Sequence, residues 1–164
     1  MTQNELNKII ENHQHYLNED IDGWESMRAD LSYKNLSGLN LRNANLHEAK
    51  LSSANLRDAD FREANLSNAD LRNANLREAN LFRANLKDAN LFGVNLKNAN
   101  ISYAKINANT KIDYPIACSE TGSFIGYKKA GYEYIVKLQI CGDAKRSSAT
   151  TKKCRCSKAL VLSI

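Results

Sequence analysis

The residues whose types and spacing are best suited to chemistry lie close to the carboxyl end of the sequence. Cationic and short hydroxyl side chains are interleaved there, and the set comprises Lys145, Arg146, Ser147, Ser148, Thr150, Lys152, Lys153 and Arg155. Such donors suit a phosphate or another anion. The set therefore predicts a phosphate-containing ligand, a nucleic-acid backbone or an acidic protein face as partner, extended by Lys128 and Lys129 if the fold brings them near. A solvated hairpin loop is the alternative.

Four cysteines in the same region indicate a second kind of site. Cys118, Cys141, Cys154 and Cys156 are enough thiolates for a tetrahedral zinc ion. Their spacing contains no C-x2-C pair, and small buried apolar cysteines are the alternative, so we expect neither a metal nor another cofactor. The polar, acidic start predicts no signal peptide, no apolar run predicts a transmembrane helix, and free thiols then favour a cytoplasmic location.

The ionisable residues do not form a recognisable catalytic set. His13, His15 and His47 lie near no Ser or Cys in a nucleophile–base pattern, and the carboxylates in the middle of the chain alternate with Arg and Lys. The sequence therefore predicts a protein that is not an enzyme. A small enzyme near the carboxyl end would instead require an activity that depends on a residue such as Lys145 or Arg146.

A repeat of five residues fills the centre of the chain and must position these groups. From Leu31 to Ile106, 16 repeats place Leu at 13 central positions, the others being Phe61, Ile101 and Ile106. Ala stands two positions earlier in 13 repeats, and Asn or Asp stands between in all but two. A period of five fits neither an α-helix nor a flat strand, so the chain must turn once per repeat.

The triplet Ala-Asn-Leu indicates a short strand, and the two polar or small residues after it can form a corner. If each repeat turns by about 90°, four repeats close a square coil, and successive coils stack at roughly 4.8 Å. The Leu position then fills the centre and Ala the space beside it. The predicted core comprises Leu41, Leu46, Leu51, Leu56, Phe61, Leu66, Leu71, Leu76, Leu81, Leu86, Leu91 and Leu96.

Residues 29–106 resemble the pentapeptide-repeat proteins, whose pattern is A-[D/N]-L-x-x. The resemblance implies an all-β solenoid, a right-handed quadrilateral β-helix. The stretches ETGSFIGYKKA (120–130), IVKL (135–138) and DAKRSSATTKKCR (143–155) resemble an uncharacterised domain that follows such repeats in some phage and bacterial proteins. That second resemblance implies no activity, but it favours a phage or prophage origin.

The amino-terminal stretch predicts an amphipathic helix that covers the open end of the first coil, because an unpaired strand edge must be protected. Thr2 and Glu5 have the spacing of a capping box, and Gly23 ends the pattern. A separate recognition helix is the alternative. The residues at helical spacing are Leu6, Ile9, Ile10, His13 and Leu17.

The carboxyl-terminal stretch predicts a small β-rich module. Residues 131–140 and 159–164 have strand patterns, and glycines mark turns around them. The predicted domains are therefore a helical cap at 1–28, a repeat solenoid at 29–106 and a basic module at 107–164. Their net charges are −4, +3 and +6.

The outer faces of the predicted solenoid carry columns of residues 20 positions apart. Arg57, Arg77 and Lys97 form a basic column beside Asp58 and Glu78, as expected of a solvated face. Some pentapeptide-repeat proteins modulate type II topoisomerases such as gyrase by presenting an acidic, duplex-like rod, and the positive repeats here depart from that pattern.

Four aromatics are expected at exposed corners: Tyr33, Phe82, Phe92 and Tyr103. Phe82 and Tyr103 fall on one face of neighbouring coils, and Phe92 falls on the opposite face. A contiguous apolar patch there predicts binding of a partner or a second copy, and contact with the folded-back tail is the alternative.

Taken as a whole, the sequence predicts a scaffold that presents a basic module to a protein partner or an anionic ligand. If the protein is encoded by a phage, we expect it to interfere with a process of the host, for example by sequestering a nucleotide signal. Nucleic-acid binding through the basic tail and topoisomerase modulation remain alternatives, and homo-oligomers are compatible with all three. The uniformity of the repeats places specificity in the irregular tail.

Overall fold

The computed structural model describes residues 1–112 and, beyond them, the residues of five strands. Helix α1 spans Gln3–Asn18, and a 3₁₀ helix spans Trp24–Met27. The repeats contain two short strands, β1 at Asn90–Leu91 and β2 at Lys111–Ile112. The five later strands are β3 at Phe124–Ala130, β4 at Tyr134–Ile140, β5 at Arg146–Ser148, β6 at Cys154–Cys156 and β7 at Ala159–Ser163.

Parallel β-bridges join residues 20 positions apart throughout the repeats. Lys50, for example, bridges Asp30 in the coil before it and Asp70 in the coil after it. The Leu31 N–H donates to the Lys50 carbonyl at 2.8 Å, and the Lys50 N–H donates to the Ala29 carbonyl at 2.9 Å. Four five-residue repeats therefore make one turn of a solenoid, as the period predicts.

The β structure in each repeat is shorter than the predicted strand. Most repeats contribute a single bridged residue, at the Asn or Asp position. A turn starts at the next residue, since the Ala44 N–H donates back to the Leu41 carbonyl at 3.1 Å. Within it, Asn43 has a left-handed backbone with φ of 58°. Each repeat is thus divided between one ladder position and one turn.

The Asn or Asp of each repeat stabilises this turn with its side chain. Asp70 Oδ1 accepts a hydrogen bond from the Arg72 N–H at 3.2 Å, and Asp60 Oδ1 accepts one from the Arg62 N–H at 3.1 Å. This arrangement is an Asx-turn. Asparagines also bond between coils, as the Asn55 side-chain amide donates to Asn35 Oδ1 at 2.9 Å. A short amide or carboxylate at this position therefore supports both the turn and the stacking.

The central side chains form one narrow apolar column. Eleven of the twelve predicted core residues are at most 1% exposed. Leu96 differs: it lies in the last described coil, which has a described neighbour on one side only, and it is only partly buried. The alanines beside the column are also buried, and Ala64 and Ala69 have no exposed surface. Space in this second row admits little more than a methyl group.

Helix α1 begins at a complete capping box. The Glu5 N–H donates to Thr2 Oγ1 at 3.3 Å, and the Thr2 N–H donates to Glu5 Oε2 at 2.7 Å. The helix ends before Glu19, whose left-handed backbone (φ 53°) caps it. The predicted end at Gly23 is wrong, because the Glu19 N–H already turns back to the His15 carbonyl at 2.9 Å. Gly23 instead precedes the 3₁₀ helix.

The later strands form two separate antiparallel arrangements. Strand β4 lies between β3 and β7, and β5 pairs only with β6. Strands β4 and β7 lie inside the ranges where the sequence predicts strands, whereas β3, β5 and β6 are not predicted individually. Within the ranges that the structure describes, no helix is both long and apolar enough to cross a membrane.

Candidate functional site

The predicted anion-binding set is partly assembled by the β5–β6 hairpin. Ser147 is the register partner of Arg155, and Arg146 is the partner of Cys156. Ser148 is the register partner of Cys154 in the same ladder. The pairing therefore brings two basic and two hydroxyl residues of the set into one three-residue ladder. Four further members lie outside the described residues: Lys145, Thr150, Lys152 and Lys153.

Lys128 and Lys129 lie on a different sheet. They belong to β3 and pair with Val136 and Ile135 of β4, and this sheet shares no strand with the β5–β6 hairpin. Their membership of the anion-binding set stays a prediction.

Two of the four cysteines are placed by the structure. Cys154 and Cys156 are the end residues of β6, whereas Cys118 and Cys141 lie outside the described residues. Among the residues that are described, no three His, Cys, Asp or Glu side chains are arranged to hold a metal ion.

Polar side chains of the amino-terminal cap bind the exposed edge of the first coil. Gln3 donates to the Asn40 carbonyl at 2.9 Å and accepts from the Asn40 N–H at 2.9 Å, like a neighbouring strand. The Arg28 guanidinium donates to the Glu48 carbonyl at 2.8 Å and 2.5 Å. The sequence predicts a cap but not these residues, because helical periodicity reports only apolar burial. A Gln at the start of a capping helix is the available signal.

His13 is the buried centre of this cap. Its Nε2–H donates to the His47 carbonyl at 2.9 Å, and its Nδ1 accepts from the Ala29 N–H at 3.2 Å. Both ring nitrogens are therefore satisfied only in the neutral form. The Tyr16 ring stacks on the imidazole with 5.4 Å between centroids. Burial lowers the pKa of His13 and the Arg28 charge lowers it further, against the opposing effect of the bond to His47.

A shallow groove of about 300 Å³ separates the start of α1 from the first coil. Gln3, Asn7 and Ile10 line one side, and residues 40–44 line the other. Arg42 is the one ionisable side chain in this lining. The groove therefore offers no acid–base pair.

Carboxylates on the coils are largely paired with cations. Arg72 binds Asp70 at 2.6 Å, and Arg57 binds Glu78 in the next coil at 2.9 Å. The hydrogen bond from Arg72 holds the pKa of Asp70 below its usual value. Arg77 also pairs with Glu78. Adjacent columns of opposite charge thus neutralise each other.

The charge of the repeats is uneven along the solenoid. Residues 29–79 carry seven basic and seven acidic side chains, whereas residues 80–112 carry five basic and one acidic. The excess positive charge therefore belongs to the last part of the described solenoid. This distribution differs from the acidic rod of a duplex mimic.

The exposed aromatics are not one continuous patch. Phe82 and Tyr103 contact each other edge to face, with 5.5 Å between ring centroids. Tyr33 and Phe92 lie in other repeats and are exposed. Of the four corner aromatics, Phe82 and Tyr103 are the two that the described structure brings into contact.

Four five-residue repeats per turn, joined by parallel bridges, define a repeat solenoid. Residues 27–62 and 59–98 match the family model described as pentapeptide repeats (8 copies), and the chain belongs to the pentapeptide-repeat proteins. Residues 114–164 match a second model, described as a family of unknown function (DUF5758). None of the curated proteins matches the chain.

Solved structures of other pentapeptide-repeat proteins are similar to parts of the chain. Rfr23 from the cyanobacterium Cyanothece 51142 is 41% identical over 52% of this chain and 62% of that chain, with a TM-score of 0.33. The alr5209 protein from Nostoc PCC 7120 is 33% identical over 62% of this chain and 81% of that chain, with a TM-score of 0.37. HetL from Nostoc sp. strain PCC 7120, involved in heterocyst differentiation regulation, is 38% identical over 46% and 39%, with a TM-score of 0.28. The chain spans less than two thirds of Rfr23 and of HetL.

Proposed function

We propose that the protein is a non-enzymatic binding protein whose solenoid presents a small basic module to a partner. The proposed units are a cap at residues 1–28, a right-handed β-helix at 29–106 and the module at 107–164. The partner is a protein or a phosphate-containing ligand. A binding or scaffold role agrees with membership of the pentapeptide-repeat family.

The β5–β6 register supports this proposal most directly. It pairs Arg155 with Ser147, so these two positions share one face of the ladder, and both residues are donors that suit an anion. Arg146 and Ser148 occupy the opposite face of the same ladder. The surrounding module has a net charge of +6. The repeats, by contrast, present similar residues on every coil, so the module offers more basis for specificity.

The finer proposal is a phage-encoded, cytoplasmic modulator of a host process, including one that sequesters a nucleotide signal. Nucleotide phosphates have the charge and acceptor oxygens that this donor set can bind. Nucleic acid is the second candidate, favoured by the same net charge. Its binding would fall steeply with salt, because bound counterions are released.

Reversing the hairpin charges tests the proposal. We expect the full chain with Arg146→Glu and Arg155→Glu to lose a bound partner by roughly tenfold or more, since like charges in an interface oppose binding. The measurement is capture from bacterial lysate, with and without nuclease, followed by titration of the captured molecule.

The matched control is the full chain with Lys34→Glu and Lys97→Glu. Both lysines are exposed and lie outside the hairpin, and the change in net charge is the same. This control is expected to keep the partner. Equal loss in both variants, or none in the hairpin variant, would refute a site at the hairpin, and nuclease-sensitive capture would identify nucleic acid.

A further inference from the structure

A cationic and aromatic surface lies where two late coils of the solenoid meet. The Arg83 guanidinium lies 5.0 Å from the centre of the Phe82 ring, which contacts Tyr103 of the next coil. Lys105 bridges Asn85 between the same two coils. We define the basic corner as Phe82, Arg83, Lys87, Tyr103 and Lys105.

The cations of the basic corner are exposed and form no ion pair with a carboxylate in the part of the chain that the structure describes. Tyr103 is 69% exposed, and Arg83, Lys87 and Lys105 are also exposed. In the described part of the chain, none of these three cations lies within 4.0 Å of a carboxylate. The acidic group closest in sequence, Asp88, instead accepts hydrogen bonds from side-chain amides of residues 107 and 109.

The position of Arg83 is informative because an acidic residue lies 20 positions before it. Glu63 occupies the same place in the preceding coil, yet the two side chains form no ion pair in the described structure. The guanidinium lies against Phe82 instead. A cation–π contact of this kind leaves the donors of Arg83 available to a partner.

Acidic side chains that could pair with these cations lie before the first coil of the same chain. Residues 19–25, EDIDGWE, contain four acidic and no basic side chains, and we call them the acidic segment. Ile21 stands between Asp20 and Asp22 and is 40% exposed. Asp22 and Glu25 are exposed and form no ion pair in the described structure.

We propose that the acidic segment of one copy binds the basic corner of a second copy. Ile21 packs on the Phe82–Tyr103 pair, and the carboxylates of Asp22 and Glu25 bind the cations. The Tyr16–Trp24 ring contact and the Arg28–Glu48 hydrogen bonds hold the acidic segment at the first coil. The basic corner of the same chain lies in later coils of the solenoid.

This contact joins two different surfaces and therefore builds head-to-tail assemblies. It is independent of the proposed partner of the C-terminal module. Because the contact depends on charge, salt should weaken it: the screening length is about 10 Å at 0.1 M salt and about 3 Å at 1 M.

The first measurement is the mass of nuclease-treated full-length protein by analytical ultracentrifugation across protein and salt concentrations. The expected result is a mass that rises with protein concentration at low salt and returns to that of one chain at high salt. A single chain under every condition would overturn the proposal.

Charge reversal then tests the two surfaces. Arg83→Glu with Lys105→Glu, and separately Asp22→Lys with Glu25→Lys, should each weaken association by roughly tenfold or more. A chain carrying all four changes should associate again, because the charges are complementary once more. That recovery also shows that the variants fold.

The controls carry the same charge changes elsewhere. Lys34→Glu with Lys97→Glu, and Glu11→Lys with Asp58→Lys, alter exposed residues outside both surfaces and should retain association. Loss of association in these controls would show that net charge alone controls association, and it would overturn the proposal. Loss on reversing the corner but not the acidic segment would mean that the corner binds a different surface of the second copy, which would also overturn the proposal.

Discussion

Replacing Leu66 by Ala is expected to lower the free energy of unfolding by about 3–5 kcal/mol, the range for large buried side chains in rigid cores. Leu66 has no exposed surface, and Leu46 and Leu86 lie above and below it with at most 1% exposed. The Leu66 N–H also donates to the Asn85 carbonyl at 2.8 Å. Because such hydrogen bonds fix the spacing between neighbouring coils, the coils cannot move together to fill the cavity. The measurement is the denaturant midpoint at constant slope.

Leu96→Ala is the matched control for this prediction. It removes the same atoms from the same repeat position, but Leu96 is only partly buried. Its loss should be well below that of Leu66→Ala, since less apolar area returns to water. Equal losses would contradict a core whose tightness depends on coils packed on both sides.

The solenoid could be predicted from the sequence because its core residues recur strictly every five positions. Neither an α-helix nor a flat strand places leucines five residues apart on one side, so the chain must turn once per repeat to bury them together. The limited space beside the central column could be predicted too, because Ala stands at that position in 13 of the 16 repeats. Larger residues at Lys34 and Leu39 occur in the first coil, where the structure leaves them exposed or partly buried.

The turn conformation could not be predicted in the same way. Its left-handed position holds Glu63, Arg83 and Tyr103 with φ of 60°, 58° and 59°, although such residues rarely adopt that region. Eight of the fifteen residues at this position are Gly, Asn or Asp, which favour that region, so residue type gives only a partial signal. The Asx-turn from the preceding Asn or Asp stabilises the backbone, and that role appears only when the hydrogen bonds are seen.

The cap and the basic hairpin were predictable to different degrees. Helical spacing predicts burial of Leu6 and His13, and both have no exposed surface. Gln3 pairs with Asn40, 37 residues away, and such pairing depends on where the coil edge lies in space. For the same reason, composition could indicate a basic run at 145–155 but not that Ser147 pairs with Arg155.

The stability of the protein is expected to fall as the pH drops below about 6.5, through His13. Burial lowers the pKa of this side chain in the folded protein from the ordinary value of 6.5. The unfolded chain therefore binds a proton at a pH where the folded chain does not, and stability falls with acidification until the lower folded pKa is reached. The limiting slope for one group is about 1.4 kcal/mol per pH unit. Protonated Nδ1 also cannot accept from the Ala29 N–H.

His13→Gln should remove this slope below about pH 6.5, because Gln does not titrate. It should also lower stability at neutral pH by about 1–3 kcal/mol if the Ala29 N–H is left unsatisfied. The measurement is the free energy of unfolding in denaturant at each pH. Residues near the imidazole that titrate or carry charge are Tyr16, Arg28, His47 and Glu48.

His15→Gln separates this effect from histidine titration in general. His15 is 42% exposed and pairs with Asp20, so it does not share the buried site, and its replacement should leave the slope in place. Asp60 and Asp70 have lowered pKa values because of hydrogen bonds from Arg62 and Arg72. Their contribution is present above the unfolded pKa and is lost as the pH falls below about 4, which is a separate, more acidic window. If His13→Gln retained the slope near pH 6 and His15→Gln abolished it, the buried cap would not be its origin.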